Sequence, residues 1–561
     1  MGDVIMTMRR YLEGFIPYKK EVMEEFRGNG AWEDLTYGDI LDRTTDQYPE
    51  NIAVIDDRNR LTYKTLKEKV DRFAIALIKL GVKPHDRLIL QLPNRYEFVV
   101  AFYGMQKMGA VPLLSIPRHE YRELSTFFKI TEAVGWIVPL RDGKIEFLPL
   151  IEKIMAEFKG LKHVIMPKDS EALPPFAVSL ENLIEEVNLD DYSEDYLAQF
   201  RPDPNDVAVL IPTGGTTGLP KMVPRTHNNL IVTNRIISQR LDATDKTLQA
   251  TPVGHAMAMQ GAVNCAVFRG ATLVLQSIPR PKEMMETIQR EKVTGAFMVP
   301  TQLEGIMNHP ELDQYDLSSL KNVGTTGAAL PREVAEKAWE YCKSINCKFS
   351  GNGLGASEGL LAGGGPDDPL DVQLSTVGRS STPGSHYKVI DGQENELPLN
   401  TEGELVARGP EVFTGYYKTT EEENRDVFTR DGYYRTGDLA RINEQGYITI
   451  TGRKKDVIMR GGETLVPSEM EELIRTHPSV ESVAVIGMPD PKMGERACAY
   501  VTLRQGKAIA FDEMVEYLKS QGASVLLLPE RLEIIEGLPL TPVGKVDKKA
   551  LRKDIEQKLK K

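Results

Sequence analysis

Four cysteines, Cys265, Cys342, Cys347 and Cys498, are all that occur in 561 residues. No two stand in C-x-x-C spacing, and so few in so long a chain cannot build a disulfide framework, so neither a dithiol redox motif nor a stapled extracellular scaffold is expected. The eight histidines are scattered with no H-x-x-x-H pair, which argues against a structural zinc site. No apolar run reaches the length of a membrane span, because the most apolar stretch, Val253 to Phe268, is interrupted by His255, Gln260 and Asn264. An excess of basic residues is also missing. Lysine and arginine total 69 against 81 acidic residues, a net charge of −12, so neither nucleic acid nor an anionic membrane is expected as a partner. The opening residues MGDVIMTMRRYLEG have no apolar core of signal-peptide length and no serine or threonine four places after Gly2 for myristoylation. The expectation is a cytoplasmic protein without stable membrane insertion.

With 41% hydrophobic and 27% charged residues, the composition is that of a globular chain. Short apolar runs alternate with helical periods from Asn51 onward, which predicts an α/β architecture. AVIDDRNRLTY reads as a hairpin feeding a helix with Leu66, Val70, Phe73, Leu77 and Leu80 on one face and Gly81 at its end. A strand over 87–92, a helix over 96–108 and a strand over 111–114 follow. The polar, proline-rich 200–207 segment is read as the start of a new subdomain. The last 105 or so residues form a separable unit, with helices at 467–476 and 511–521 and strands near 480–485 and 496–502. Its final 17 residues hold eight basic against three acidic side chains, the pattern of a solvated amphipathic helix.

Several stretches carry chemistry. Thr213-Gly-Gly-Thr-Thr-Gly-Leu-Pro-Lys221 follows the apolar strand 207–211; glycines let backbone amides converge, and threonine hydroxyls and a lysine complete a cradle for a polyphosphate. Leu219 and Pro220 part Gly218 from the lysine, so this is not a Walker A loop. A Gly/Thr-rich hairpin turn would account for the glycines alone. Gly355-Ala-Ser-Glu-Gly359 fits the pattern of a serine-hydrolase elbow, yet the breaker run 363–366 leaves no room for the helix an elbow must open. Glu358, with Ser357 beside it, reads instead as a hard oxygen ligand for magnesium. Asp438, after Thr436 and Gly437, is either a turn residue or the carboxylate that accepts ribose hydroxyls. Lys545 stands on a loop stiffened by Pro542 and Gly544.

In order along the chain, TGGTTGLPK (213–221), GASEG (355–359), YYRTGDL (433–439), GRKKDVIMRGGE (452–463) and LPLTPVGKVDKKAL (538–551) resemble the acyl-adenylate-forming, AMP-binding superfamily of acyl-CoA synthetases, peptide-synthetase adenylation domains and luciferases. EGFIPYKKEV, RLTYKTL, LQLPNRYEF and the Pro-Arg-Thr-His of 224–227 are similar to its aryl-acid branch, which includes 2,3-dihydroxybenzoate-AMP ligases. The resemblance implies a large N-terminal adenylation domain of several α/β subdomains (1–454) and a small mobile α+β domain (455–561). It also implies an acid–thiol ligase that converts an aromatic or cyclic carboxylic acid and ATP, with Mg2+, to an acyl-adenylate and then to the CoA thioester. The alternative thiol is the phosphopantetheine of an acyl carrier protein, as in siderophore-type synthesis. A non-catalytic nucleotide-binding homologue is a reading of another class, against which the intact Lys545, Glu358 and Asp438 stand.

Residue by residue, the resemblance assigns the β- and γ-phosphates to Thr213, Gly214, Gly215, Thr216, Thr217, Gly218 and Lys221, and magnesium to Glu358 and Ser357. Adenine and ribose fall to Gly327, Ala328, Ala329, Asn352, Gly353, Leu354, Asp438, Ile450 and Arg453. Lys545 would bridge the carboxylate and the α-phosphate, and His255 would act at the mouth of an acid pocket formed by Ala256, Met257 and Gly261. Lys455 matches the hinge, and Gly461 and Gly462 the thiol channel. Three positions depart from the pattern: Leu354 replaces a common adenine-stacking aromatic, Leu527, before Pro529, stands near a place where the family often has a lysine, and Ala256 replaces the asparagine that reads a ring hydroxyl in dihydroxybenzoate enzymes.

Overall fold

In a computed structural model, residues 11–168, 172–213, 220–328, 330–365, 367–460, 463–521, 523–541 and 545–560 are described. The chain forms two units. The first comprises residues 1–374, 378–386 and 408–428; the second comprises 375–377, 387–407 and 429–561. The second unit therefore takes in a sheet whose strands precede residue 455.

Two largely parallel sheets organise the first unit among the described residues. One has the strand order Lys221–Thr226, Val207–Thr213, Val111–Leu114, Arg87–Leu90, Gly135–Ile137, His163–Met166, Ala177–Ser179. The other runs Leu361–Ala362, Lys348–Gly355, Asn322–Thr326, Gly295–Met298, Lys246–Gln249, Thr272–Leu275, Ile52–Ile55, Arg60–Thr62. The expected hairpin is the antiparallel pair at the end of this second sheet, and the helix it feeds spans Tyr63–Lys79, followed by Gly81 at φ +89°. The helix Tyr96–Met108 is apolar on every face and buried along its whole length, as such a pattern requires. Of its polar exceptions, Gln106 donates to the Ala208 carbonyl at 2.8 Å and Lys107 sits 2.5 Å from both Asp42 and Asp71, while Glu97 accepts from Arg95 (2.9 Å) through Oε1 and leaves a buried Oε2 without a hydrogen-bond partner among the described residues.

One reading of the linkers is corrected here. The 200–207 segment does not begin a new subdomain, because the strand it leads into, Val207–Thr213, pairs with Val111–Leu114 and completes the first sheet. Asp206 fixes that return. Its buried carboxylate accepts the backbone N–H groups of Leu12 (2.9 Å) and Val207 (2.7 Å) and lies 2.6 Å from His85 Nε2.

The loops leaving the two sheets are locked together. Asn94, 5% exposed and just beyond the strand Arg87–Leu90, donates through Nδ2 to the carbonyls of Gln249 (3.2 Å), Thr251 (3.0 Å) and Gln276 (3.0 Å), and its Oδ1 accepts from Val253 N–H (2.9 Å). Beside it, Gly254 lies so close to Ser115 that a Cβ there would overlap the Ser115 carbonyl. Any larger residue would force the two loop systems apart.

The second unit holds a four-stranded sheet (His386–Ile390, Gly403–Arg408, Tyr434–Ile442, Ile448–Arg453) and a five-stranded one built on the long antiparallel pair Val480–Asp490 and Gly494–Leu503. The expected helices are Pro467–Arg475 and Phe511–Ser520. The basic C-terminal run is the helix Lys548–Leu559, capped by the Asp547 carboxylate on the N–H groups of Lys549 and Ala550, with Leu551 and Ile555 buried and, in place of a wholly solvated polar face, Lys548, Arg552 and Lys558 paired to Glu471, Asp456 and Glu533. No described helix is long and apolar enough to cross a membrane.

Candidate active site

The strands Lys246–Gln249, Gly295–Met298, Asn322–Thr326 and Lys348–Gly355 are mutually parallel, so the segments that follow them emerge at one edge of the sheet, where α/β folds place their ligands. Thr325 pairs with Asn352 and Thr326 with Gly353. Asn352 Nδ2 donates to the Ala328 carbonyl (2.9 Å), its Oδ1 accepts from the Thr325 hydroxyl (3.1 Å), and the Thr326 hydroxyl donates to the Gly353 carbonyl (2.8 Å). Gly327, at φ +94°, then turns the chain, so that 327–328 lie beside 352–354. At the same edge, His255 caps the short helix Ala256–Ala258, its Nδ1 accepting from Met257 N–H at 3.3 Å. That helix runs into a π-helical turn, Met259–Val263, a local widening of the helix often found at functional sites.

Beyond Gly355 the chain reverses into the antiparallel strand Leu361–Ala362, and the turn carries Ser357 and Glu358. A strand follows where a nucleophile elbow would need a helix. This turn is nailed down from behind by Arg225, which is fully buried and donates to the carbonyls of Ser357 (2.7 Å) and Glu411 (2.8 Å). Gly359 closes it at φ +110°, where any Cβ would overlap the Glu411 carbonyl oxygen. Glu358, 9% exposed, accepts from the Tyr416 hydroxyl at 3.0 Å. The Lys221 ammonium lies over the ring of the same tyrosine, 4.5 Å from its centroid. Thr213 and Lys221 face each other across an antiparallel pair, so the flanks of the Gly/Thr-rich loop form a hairpin.

Behind this turn, burial raises the Glu411 carboxyl from its ordinary 4.5 to about 7, opposed by Ser385 Oγ at 2.5 and 2.6 Å and by the Arg225 charge. A raised carboxyl pKa means that the fold favours the proton: this stabilisation is complete below about pH 4.5 and lost as pH rises through 7. Glu411→Gln stays neutral and keeps a partner for Ser385. Its thermal midpoint is expected to match the wild type near pH 4 and exceed it at pH 8, by a margin worth on the order of 2–3 kcal/mol. Melts at both pH values check this, and a less stable variant at pH 8 would show an ionised Glu411 paired to Arg225.

Within the second unit, Asp438 and Arg453 are register partners, and Arg453 Nε lies 2.6 Å from the Asp438 carboxylate, which is 4% exposed. Burial raises the Asp438 pKa, and the charges of Arg453, Lys545 and Lys455 pull it back. Four residues from three motifs thus share one electrostatic cluster. Ile450 pairs with Ala440 on the neighbouring strand. Lys545 is tied to Thr541 by two hydrogen bonds: Thr541 N–H donates to the Lys545 carbonyl (2.7 Å), and Lys545 N–H donates to Thr541 Oγ1 (3.1 Å). Lys455 lies in the turn after Ile448–Arg453, which is closed by Asp456 N–H donating to the Arg453 carbonyl (2.9 Å) and braced by Arg552 on Asp456 (3.0 Å).

The AMP-binding enzyme family matches residues 41–417, and the AMP-binding enzyme C-terminal domain matches residues 469–545. The chain belongs to the AMP-binding enzyme family. It is 34% identical to the 2,3-dihydroxybenzoate-AMP ligase of Bacillus subtilis (strain 168), with 98% of this chain and 99% of that protein covered. It is 33% identical to the Mycobacterium tuberculosis "salicyl-AMP ligase / salicyl-S-ArCP synthetase", with 96% and 94% covered. Among solved structures, the apo structure of Mycobacterium smegmatis MbtA superposes with a TM-score of 0.71 at 32% identity, covering 97% of this chain and 99% of that one. The acyl-adenylate-forming superfamily and its aryl-acid branch, expected from the motifs, are thereby shown, as is the α/β fold class.

For this AMP-binding enzyme, Gly214 to Gly218, Ala329, Gly461 and Gly462 lie outside the described residues. Of the three positions expected to form the acid pocket, Ala256 is buried and Met257 half-buried beside His255, while Gly261 borders a small cavity with Thr247, Phe297 and Asn322. Leu354 pairs with Ala362 and is half-buried. Three residues with a hold on these positions were not singled out from sequence: Tyr416, Arg225 and Asn94. Arg225 and Asn94 sat inside stretches that carried the branch resemblance, so a signal was present. Their bonds go chiefly to backbone carbonyls, which no side-chain pattern marks.

Proposed function

We propose that the protein activates an aromatic or cyclic carboxylic acid with ATP and passes the acyl group to a phosphopantetheine thiol. The observation that supports it most is the cluster of Asp438, Arg453 and Lys545, three charged side chains from three separate motifs held in mutual electrostatic reach. A carboxylate is a weak nucleophile toward an anionic phosphate, so fixed positive charge must supply most of the catalysis. On this reading an oxygen of the acid attacks the α-phosphorus and pyrophosphate leaves. Lys545 offsets the charge on both reacting anions, Asp438 takes the ribose hydroxyls, and Thr213 and Lys221 with the loop between them hold the β- and γ-phosphates. The thiol then attacks the acyl carbon of the mixed anhydride and AMP leaves. His255 stands at the acid's end of the site as the cap of a helix.

Magnesium, when bound, neutralises phosphate charge, and Glu358 with Ser357 would hold it. A single hard carboxylate suits an ion that keeps most of its shell as water and phosphate oxygen, and among the described residues no cluster of three or more His, Cys, Asp or Glu offers a fuller cage. The acceptor we favour is a carrier-protein thiol, in keeping with the salicyl-S-ArCP synthetase relative, and free CoA is the comparator. The reading is tested by acid-dependent ATP–pyrophosphate exchange over benzoate, cyclohexanecarboxylate, salicylate, 2,3-dihydroxybenzoate and fatty acids. Thioester formation is then compared on CoA and on a phosphopantetheinylated aryl carrier domain. Absence of exchange with every acid would remove the proposal.

The acid's identity turns on Ala256. A ring hydroxyl buried opposite its methyl group lacks a partner, at a cost of about 1–3 kcal/mol, or roughly ten- to a hundredfold in kcat/KM. Benzoate-like or alicyclic acids are therefore expected to outcompete 2,3-dihydroxybenzoate, and Ala256→Asn to shift the ranking toward the catechol acid. Preference of the unmodified enzyme for 2,3-dihydroxybenzoate, or an unchanged ranking in the variant, would show that other residues read the ring.

A further inference from the structure

Tyr416 touches two residues that come from different motifs, and its own place is fixed by backbone on both sides. Its N–H donates to Asn424 Oδ1 (3.1 Å) and its carbonyl accepts from the Thr419 hydroxyl (2.6 Å). The next residue, Tyr417, donates its N–H to the Met222 carbonyl (2.8 Å), which ties this stretch to the strand Lys221–Thr226 immediately beside Lys221. Phe413 packs edge-on against the Tyr416 ring at 5.0 Å. From that anchored position the hydroxyl reaches Glu358 (3.0 Å) and the ring face lies 4.5 Å from the Lys221 ammonium.

We infer that Tyr416 is a positioning residue that holds the metal-side carboxylate and the phosphate-side lysine in one frame. The inference rests on the functional reading above, which gives Glu358 to magnesium and Lys221 to the phosphates. The hydroxyl donates to Oε1 of Glu358 and so fixes the rotation of the carboxylate, leaving Oε2 as the oxygen to offer to an ion. The ring face attracts the ammonium through its quadrupole and keeps it at the end of the loop, instead of letting its long side chain range through solvent. A carboxylate and an ammonium left to themselves would pair with each other. The tyrosine between them engages both and keeps each available for its own ligand.

Two substitutions separate the two contacts. Tyr416→Phe keeps the ring under Lys221 and removes the bond to Glu358, whereas Tyr416→Leu removes both. The measurement is calorimetric binding of ATP in EDTA and over a series of Mg2+ concentrations, which needs no acid and no turnover. Tyr416→Phe is expected to bind metal-free ATP within about twofold of the wild type and to lose about tenfold of the enhancement by Mg2+, the scale of one hydrogen bond to a charged group. Tyr416→Leu should weaken metal-free binding several-fold as well. In a Glu358→Gln background, Tyr416→Phe should have no further effect on the Mg2+ enhancement. An unchanged Mg2+ dependence in Tyr416→Phe, equal loss with and without metal, or additive effects in the double variant would overturn the inference. If wild-type ATP binding shows the Tyr416-dependent Mg2+ effect while no acid supports pyrophosphate exchange, the functional reading fails and the positioning role stands.

Discussion

Lys545→Ala is expected to lower acyl-adenylate formation by about 10²–10³, the loss that follows removal of one preorganised charge from a transition state, or about 3–4 kcal/mol. The two hydrogen bonds of this lysine's backbone to Thr541 do not involve its side chain, so alanine leaves them in place. The side chain itself is exposed, so stability should change little. Removing the ammonium also takes away one of the charges that pull the Asp438 pKa down against the rise that burial causes. A modest rise in KM for ATP should therefore accompany the fall in kcat. Thioester formation from a supplied acyl-adenylate should remain near the wild-type rate, because the lysine is proposed to act only while phosphorus is under attack. Single-turnover assays of each half-reaction decide the matter, and pyrophosphate release at the wild-type rate would falsify the assignment.

Lys455→Pro is expected to separate the half-reactions in the opposite sense. We propose that the thiol step needs a backbone rearrangement at this position, since Lys545 otherwise occupies the approach to the acyl carbon. Proline fixes φ near −65° and steers Lys454 toward extended backbone, so a rotation there is blocked. Adenylation should persist within about tenfold while transfer to the thiol falls by on the order of a hundredfold, or about 2.7 kcal/mol. Lys455→Ala is the control: it removes the same ammonium, keeps both dihedrals soft and should retain both half-reactions. Equal loss of the two steps in the proline variant would show that it simply breaks the turn closed between Arg453 and Asp456.

The elements nearest the motifs were legible in sequence because their patterns are local. The hairpin before Tyr63, the helix Tyr96–Met108 ending at Gly109, and the amphipathic C-terminal helix each follow from periodicity and a glycine or aspartate at a terminus. The 200–207 segment misled for a physical reason. Proline and acidic residues mark a loop, but whether the next strand opens a new sheet or returns to an old one depends on a partner strand nearly a hundred residues earlier. His255 shows the same limit. Its motif position is plain in sequence, whereas its capping of Met257 N–H appears only once the short helix is in place.

What the sequence determined alone is the inventory of chemical groups: a Gly/Thr-rich loop followed by Lys221, the carboxylates of Glu358 and Asp438 beside glycines, and Lys545 after a Pro/Gly stretch, because charge, hydroxyl and glycine content are properties of residue types. Tertiary structure decided how those groups are held. Arg225 grips carbonyls 132 and 186 residues later in the chain, Asn94 gathers three carbonyls from two strands' ends, and Tyr416 stands between Glu358 and Lys221. Every residue carries a carbonyl, so hydrogen bonds to backbone leave no mark on the side chains of the residues that accept them. Only the folded chain shows which carbonyls converge.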